Sequence, residues 1–417
     1  MAGQSGFRLV AEKEIALFFS GYGFPAVFLL SLALFSASLF IRTAGYWEQR
    51  GEQEEIDRIH LARCHQAATW EEFSFGQKEI GRPISALSLV CGGIDPAVGR
   101  VFRLHPKGEP VMLASFLDQS PAYAALGEFD LAFIFRVILS LVSIFLTYGT
   151  IAGERERGTL ALTLSHSVPR DRLLTGKISG HFASVVLATL PALLLALLLA
   201  GLVRPYPFSP MDWAGLAAGV AVSYLYLFFF TGLGVMFTTL FRGAGTVLVA
   251  LLLAWVGLVF VIPAAGLALS RPLAGSPSRA ESDSRERLLW QDGYEAAFKK
   301  SDGIREKFWA DPAREFTPER YPQATAEELA AMYDKARQEC SALVKRCQAE
   351  VLSPYEKKVA RLKASYARQQ EYQLQLARGL ARVSPAGAFS FALQELSGTG
   401  VRSFSLLYEQ LSQHRDD

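Results

Sequence analysis

Apolar blocks of about two dozen residues alternate with polar blocks along this chain. The apolar ones run from about Ile15 to Ile41, Leu131 to Ala152, Ile178 to Val203, Trp213 to Leu240 and Thr246 to Leu269. At ~1.5 Å rise per residue, each is long enough to cross a ~30 Å hydrocarbon core, so the pattern predicts about five transmembrane helices. Gly21, Gly23 and Pro25 interrupt the first block and predict an entry elbow, with residues 1–14 along the interface, before the crossing helix. A polar block over 45–130 opens with a helical, charged run from Trp47 through Arg63. From Ile84 to Phe116 it continues as short apolar runs punctuated by Gly92-Gly93 and Asp95-Pro96, which predict short strands.

The second polar block, 270–385, begins with a Ser-, Pro-, Arg- and Asp-rich stretch that reads as a loop. Two helical patterns follow, Leu329 to Val351 and Tyr355 to Val383, split at Ser353-Pro354. Tyr333, Ala336, Cys340, Leu343 and Cys347 recur at alternating spacings of three and four. Val359, Leu362, Tyr366, Gln373, Leu376, Leu380 and Val383 form a similar stripe, and the pair predicts an antiparallel helical hairpin. No run in 386–417 is long enough to cross, which predicts an interfacial or soluble tail.

The expected fold is therefore mainly α: a polytopic membrane helical bundle with two extracytoplasmic domains, the second a long helical hairpin. The expected divisions are 1–44 (elbow and first transmembrane helix), 45–130 (first extracytoplasmic domain), 131–269 (four transmembrane helices and the connection 153–177), 270–385 (second extracytoplasmic domain) and 386–417 (tail). The connection 153–177 carries Arg155, Arg157, Arg170, Arg172 and Lys177, whereas the short turn on the opposite side carries only Arg204. By the positive-inside rule the connection and the N-terminus are cytoplasmic, as expected of a multi-pass protein of the cell inner membrane.

Composition agrees with this segregation: 51% of the 417 residues are hydrophobic, yet 20% are charged. A net charge of +2, without a basic stripe carrying interleaved aromatics, gives no reason to expect nucleic acid as a partner. The lipid bilayer is the expected surrounding.

The most distinctive polar stretch is Gly153-Glu154-Arg155-Glu156-Arg157-Gly158-Thr159-Leu160, continuing through Leu162, Leu164-Ser165, Val168, Arg170 and Gly176-Lys177. In residue types, spacing and position between two spans it resembles the cytoplasmic loop of ABC-2-type ABC transporter permeases. The resemblance implies a coupling helix that docks on a separate ABC ATPase, with Glu154, Arg155, Glu156, Arg157, Gly158, Thr159, Arg170 and Lys177 as the coupling residues. It also implies two ATPase subunits holding ATP and Mg, a second copy of the permease or a related one, and export as the default direction. Arg82-Pro83, Leu87, Cys91-Gly92-Gly93-Ile94-Asp95 and Gly99 resemble, more locally, the segment before the second span in family members with large external insertions. Members generally have six spans, and five are read here. The large external fraction supports an alternative, a mechanotransmission or assembly subunit that relays ATPase motion to its outer domains without conducting a substrate.

No phosphate-binding loop is present, because Gly176-Lys177 lacks both the upstream glycine and the following hydroxyl residue. The chain is expected to be neither an enzyme nor a cofactor binder. Its paired carboxylates (Glu54-Glu55, Glu71-Glu72, Glu327-Glu328) have no nearby histidine or nucleophile pattern, so no catalytic residue is assigned. His60 and Cys64 are spaced for a shared metal, but further ligands are lacking and a helix face is the favoured reading. Cys64 and Cys91 share one polar block and are candidates for a disulfide in an oxidising compartment. Cys340 and Cys347 lie ~10 Å apart on a continuous helix, beyond bridging distance, and read as buried thiols. Arg136 lies about two turns inside the second span, and either snorkels to the outer interface or makes a polar contact at a substrate path or subunit interface.

Overall fold

The computed structural model describes residues 2–66, 78–81, 84–94, 101–104, 111–112, 129–161, 169–275 and 277–416. Among them five helices are long and apolar enough to cross a membrane, lying in Gly23–Ile59, Leu131–Glu156, Arg170–Val203, Pro210–Leu240 and Ala244–Trp309. The chain divides into two units, one formed by Met1–Ala265 with Ala381–Asp417 and the other by Gly266–Leu380.

In the first unit α1 (Ala2–Ser20) ends at Gly21-Tyr22, and α2 (Gly23–Gln66) follows. Pro25 falls in the first turn of α2, where its missing N–H has no intrahelical partner to lose. The helix passes Gly45 unbroken, so the division at 44/45 is one of composition and not of backbone. At about 66 Å it is far longer than one crossing needs. Its charged half is the helical run expected from Trp47 onward. Strands β1 (Lys78–Gly81), β2 (Val101–Leu104) and β3 (Val111–Met112) form an antiparallel sheet in that order, with Ile80 opposite Phe102 and Phe102 opposite Met112. The second and third lie where short strands were expected.

Helix α3 (residues 131–147) starts at Asp130, whose carboxylate accepts from Phe133 N at 2.8 Å and from Gly92 N at 3.0 Å. A π-helical turn occupies Ile134–Leu139. The short α4 (Ala152–Glu156) follows, then α5 (Arg170–Val203). The proline-rich turn after Val203 leads to a capping box, with Ser209 and Asp212 each satisfying the other's backbone N–H ahead of α6 (Pro210–Leu240). Helix α7 (residues 244–274) contains a second π-turn, Gly257–Val261. Phe35, Phe135, Leu139, Ile144, Val185, Leu193, Leu227, Phe230, Val247 and Leu251 form the buried centre of this bundle.

In the second unit α8 (Arg279–Trp309) and α9 (Ala326–Arg382) form an antiparallel hairpin. Phe308 packs on Ala336, Cys340 and Val344, while Trp309 stacks on Tyr333 at 5.3 Å. Farther along, Gly293 faces Tyr355, and Glu286 pairs with Lys363 at 3.2 Å. A helical hairpin was expected, but its arms differ from the expectation. The stretch read as a loop is mostly the helix α8, and Ser353-Pro354 lies inside one continuous helix of 57 residues. Helix α8 presents Ser282, Gly293, Ala297 and Ser301 to the seam, so it lacks the large-residue periodicity that would have announced it. The stripe on α9 is the complementary half of that seam. The two buried thiols expected at Cys340 and Cys347 lie on it.

Helix α10 (Pro385–Leu396) occupies the first part of the tail and packs into the bundle centre through Ala386, Phe389 and Leu393; α11 (Val401–Asp416) follows. The segment expected to lie at an interface or in water therefore contributes core residues to the first unit.

Candidate functional site

The connection between α3 and α5 is built on a close contact with the elbow. Phe7, Val10, Ala11 and Glu14 share one face of α1 by their spacing of three and four. Gly176 and Gly180 present a matching small-residue face on α5. A Cβ at Gly176 would come within 2.9 Å of the Val10 Cβ, and one at Gly180 within 2.9 Å of the Glu14 Cβ. Only glycine permits this approach, and it brings Lys177 and His181, one residue after each glycine, to Glu14.

Lys177 is 1% exposed. Its ammonium donates to Glu14 Oε1 at 2.8 Å, to Glu154 Oε1 at 3.0 Å and to the Thr150 carbonyl at 3.3 Å. Three donors meet three acceptors, which is the full capacity of a lysine. Lys13 approaches Glu154 Oε1 to 3.6 Å, and His181 Nε2 lies 3.5 Å from Glu14 Oε2 and 2.9 Å from the Thr150 hydroxyl. The buried Glu14 and the mostly enclosed Glu154 are thus balanced by Lys177 and Lys13. The cluster ties the elbow, the end of α3, α4 and α5 into one block. Removing one partner from such a buried set costs about 3–5 kcal/mol, because a charge is left uncompensated.

The next two residues of α4 clamp the turn between α6 and α7. Arg155 Nη1 donates to the Phe241 carbonyl at 3.1 Å, and Glu156 Oε1 accepts from Ala244 N at 2.8 Å. A cation thus meets the C-terminus of one helix and an anion the N-terminus of the next, each with the sign the helix dipole favours. Arg157 closes α4 by donating to the Gly153 carbonyl at 3.1 Å, and Gly158 follows at φ +74°, a left-handed turn suited to glycine. Thr159 donates to the Glu154 carbonyl at 3.2 Å. Arg170 begins α5 and is exposed. Residues 162–168 of the connection lie outside the described residues.

The eight coupling residues expected from the sequence therefore separate into three groups. Glu154 and Lys177 turn inward and pair with each other. Arg155 and Glu156 bond within the chain while remaining exposed, and Arg157, Gly158, Thr159 and Arg170 face outward. Of the candidate disulfide, Cys91 is buried, and the Cys64 side chain lies outside the described residues, as do those of His60 and His65.

Residues 14–402 match the model of the ABC-2 family of transporter proteins. The chain belongs to that family. This ABC-2 family member is also similar to two curated relatives over short stretches. One, the probable ABC transporter permease protein NosY of Pseudomonas aeruginosa, is 43% identical over 53 residues, which is 13% of this chain and 19% of that protein. The protein of the same name from Stutzerimonas stutzeri is 38% identical over 77 residues, 17% of this chain and 28% of that protein. The matches thus span less than a third of either relative. The family is one of transporter proteins, both relatives are named as permeases, and the five apolar helices make this ABC-2 protein multi-pass.

Sequence reasoning missed Lys13, Glu14, Thr150 and His181 as parts of the site. The available signal was Gly176-Lys177-Ile178-Ser179-Gly180, a small-xxx-small spacing that marks a close helix neighbour, with a lysine inside it that needs a buried acid.

At the opposite end of the ABC-2 bundle Arg136 lies in the π-turn of α3. Its Nη1 donates to Ser390 Oγ at 3.1 Å, while its carbonyl accepts from Tyr226 OH at 2.9 Å and from Ser140 Oγ at 2.6 Å. The bond from Arg136 to Ser390 lies within this chain, an arrangement distinct from both snorkelling and a contact at a substrate path or subunit interface. Trp255 Nε1 donates to the same Ser140 hydroxyl at 2.9 Å.

Proposed function

We infer that this chain is the permease subunit of an ABC-2-type transporter in which separate ABC ATPase subunits, two per assembly, hydrolyse ATP with Mg. The observation that carries the reading is the anchoring of α4. A segment locked on one side by Lys177 and on another by the α6–α7 turn moves as a unit with three helices, and it still presents Arg157, Thr159 and Arg170 outward. That is what a handle for an external engine requires. In this reading α4, the N-terminus and the α6–α7 turn are cytoplasmic, the chain sits in the inner membrane, and residues 45–130 and 270–385 lie outside. Two permease chains, identical or related, enclose the path, and the default direction is export.

The second reading, force transmission to the outer domains without a conducted substrate, draws support from the 57-residue α9, a long continuous lever. Flux in proteoliposomes separates the two readings.

Docking is tested by Arg157→Glu combined with Arg170→Glu, neither of which belongs to the buried cluster. Reversed charges at a complementary rim lower affinity through like-charge contact, so co-purification of the ATPase falls about tenfold or more. Unchanged co-purification together with unchanged ATPase stimulation would sink the docking assignment.

A further inference from the structure

A cavity of about 650 Å³ lies within the unit Gly266–Leu380, where the end of α7 meets the start of α8 and the latter half of α9. Its size is that of a small-molecule site. Arg271, Glu281, Ser282, Arg285, Ser365 and Tyr366 line it. Glu281 is already taken by Arg285, whose Nη2 donates to it at 2.7 Å, so the charge of Arg271 is left over. Among the described residues none accepts a hydrogen bond from Arg271.

Two further groups in the same wall favour an anion. The Tyr366 hydroxyl accepts from Gln370 Nε2 at 2.7 Å, which leaves its own proton to donate. The cavity also opens at the N-terminus of α8, a helix of 31 residues whose dipole is positive at that end. A guanidinium, a phenolic proton and a helix start thus border one space that holds a single, already neutralised carboxylate.

Place decides which anion. Arg271 comes two residues after the apolar run Thr246 to Leu269 ends, and Leu267, Leu269 and Leu273 beside it are 59%, 53% and 63% exposed. Exposed leucines at the end of a span belong in hydrocarbon, and an arginine among them reaches for the headgroup layer. The anion at hand in that layer is the phosphodiester of a phospholipid, whose acyl chains then lie along the leucines. A soluble phosphate compound gains nothing from them.

We propose that this cavity binds the headgroup of an anionic phospholipid, with Arg271 and Tyr366 holding the phosphate and Leu267, Leu269 and Leu273 bordering the acyl chains. The left-over positive charge favours a singly anionic lipid such as phosphatidylglycerol over the zwitterionic phosphatidylethanolamine. The proposal goes beyond the permease reading. It needs only that α7 crosses the bilayer, and it holds whichever membrane face α8 and α9 occupy.

The test titrates the full-length chain in detergent with phosphatidylglycerol, phosphatidylethanolamine, glycerol phosphate or inorganic phosphate, and resolves bound molecules by native mass spectrometry. The expected result is one tightly held phosphatidylglycerol, bound about tenfold more weakly by Arg271→Gln and about threefold more weakly by Tyr366→Phe, as the loss of a charged and of a neutral donor requires. Ser365→Leu fills the cavity while keeping both arginines, and should weaken binding about fivefold or more. Arg204→Gln, at an exposed arginine outside this unit, should leave binding within about twofold. Equal losses in Arg204→Gln and Arg271→Gln would mean annular lipid only and overturn the site, as would native affinity in Arg271→Gln or Ser365→Leu. Glycerol phosphate or inorganic phosphate bound as tightly as the lipid overturns the lipid assignment in favour of a soluble anion, and phosphatidylethanolamine bound as tightly as phosphatidylglycerol overturns the preference for an anionic headgroup. Arg271 is exposed and makes no bond among the described residues, so Arg271→Gln decides the site even where Ser365→Leu fails to fold.

Discussion

At one end of the bundle Lys13, Glu14, Glu154, Lys177 and His181 draw together across α1, α4 and α5, with the lysine hub sealed from solvent. At the other end a single arginine sits among hydroxyls and rings, Ser140, Tyr226, Trp255 and Ser390; its guanidinium donates to Ser390, while neutral hydroxyls donate to its backbone carbonyl. The first arrangement fixes position through opposed charges in a low-dielectric setting, where loss of any one member is costly. The second spreads its hold over several bonds, the neutral ones worth about 0.5–1.5 kcal/mol each and the guanidinium one about 1.5–3 kcal/mol, so the loss of any one costs less than breaking the charged lock. The contrast sets a rigid charged lock at one end against a distributed set of weaker bonds at the other.

The largest expected effect tests the rigid end. Lys177→Met keeps the side-chain length but leaves Glu14 and Glu154 facing each other without the ammonium. Stability in detergent or nanodiscs should fall by about 3–5 kcal/mol, read from the thermal unfolding midpoint or the yield of folded protein. Adding Glu14→Gln should return part of the loss, since one orphaned charge is removed. If Lys177→Met costs no more than the loss of a single hydroxyl at the other end, the distinction between the two ends fails.

How much of this was legible in the sequence follows from the range of each interaction. The five crossings were readable because a long apolar run needs no partner to be recognised. The turns after Val203 and Leu240 were readable from Pro205, Pro207 and Pro210 and from Gly243 and Gly245. The position of the α4 segment was readable through its resemblance to relatives. Its inward lock was not, because Glu14 and Lys177 lie 163 residues apart and only the helix contact at Gly176 and Gly180 unites them. Helix α8 was hidden by the small residues that let α9 approach. Helix α10 was underestimated because Ala386 to Leu393 is too short to cross, although a run of that length is the ordinary signature of a helix buried in a core. Nothing local in residues 134–139 or 257–261 announces a π-turn.

An intermediate effect tests the end held by the distributed bonds. Tyr226→Phe removes the hydroxyl that donates to the Arg136 carbonyl and keeps the ring that stacks on Phe389. Ser140 still donates to that carbonyl, so no acceptor is stranded. The cost should be about 1 kcal/mol, with increased amide exchange confined to the π-turn of α3 and to α10. A loss approaching that of Lys177→Met would place a rigid lock at both ends and remove the asymmetry.

The smallest effect isolates burial as the reason for the difference. Glu328 begins α9 in a capping box, its carboxylate accepting from Thr325 N at 2.8 Å and from the Thr325 hydroxyl at 2.9 Å. These bonds, the backbone one first, hold its pKa below the ordinary carboxylate value. Glu14 and Glu154 also accept charged or polar donors at similar distances, but they do so inside the protein, whereas Glu328 is in water. Because the folded-state pKa is depressed, the contribution of Glu328 is fully present above the unfolded value of about 4.3 and is lost as pH falls through the lower folded value. Glu328→Gln should therefore speed amide exchange in the first turns of α9 slightly at neutral pH, with the difference vanishing in acid. If the difference instead persisted below the folded pKa, the cap would act through side-chain shape and not charge. A shift as large as that of Lys177→Met at neutral pH would show that hydrogen bonding to a carboxylate, and not its removal from water, sets the strength of the lock around Lys177.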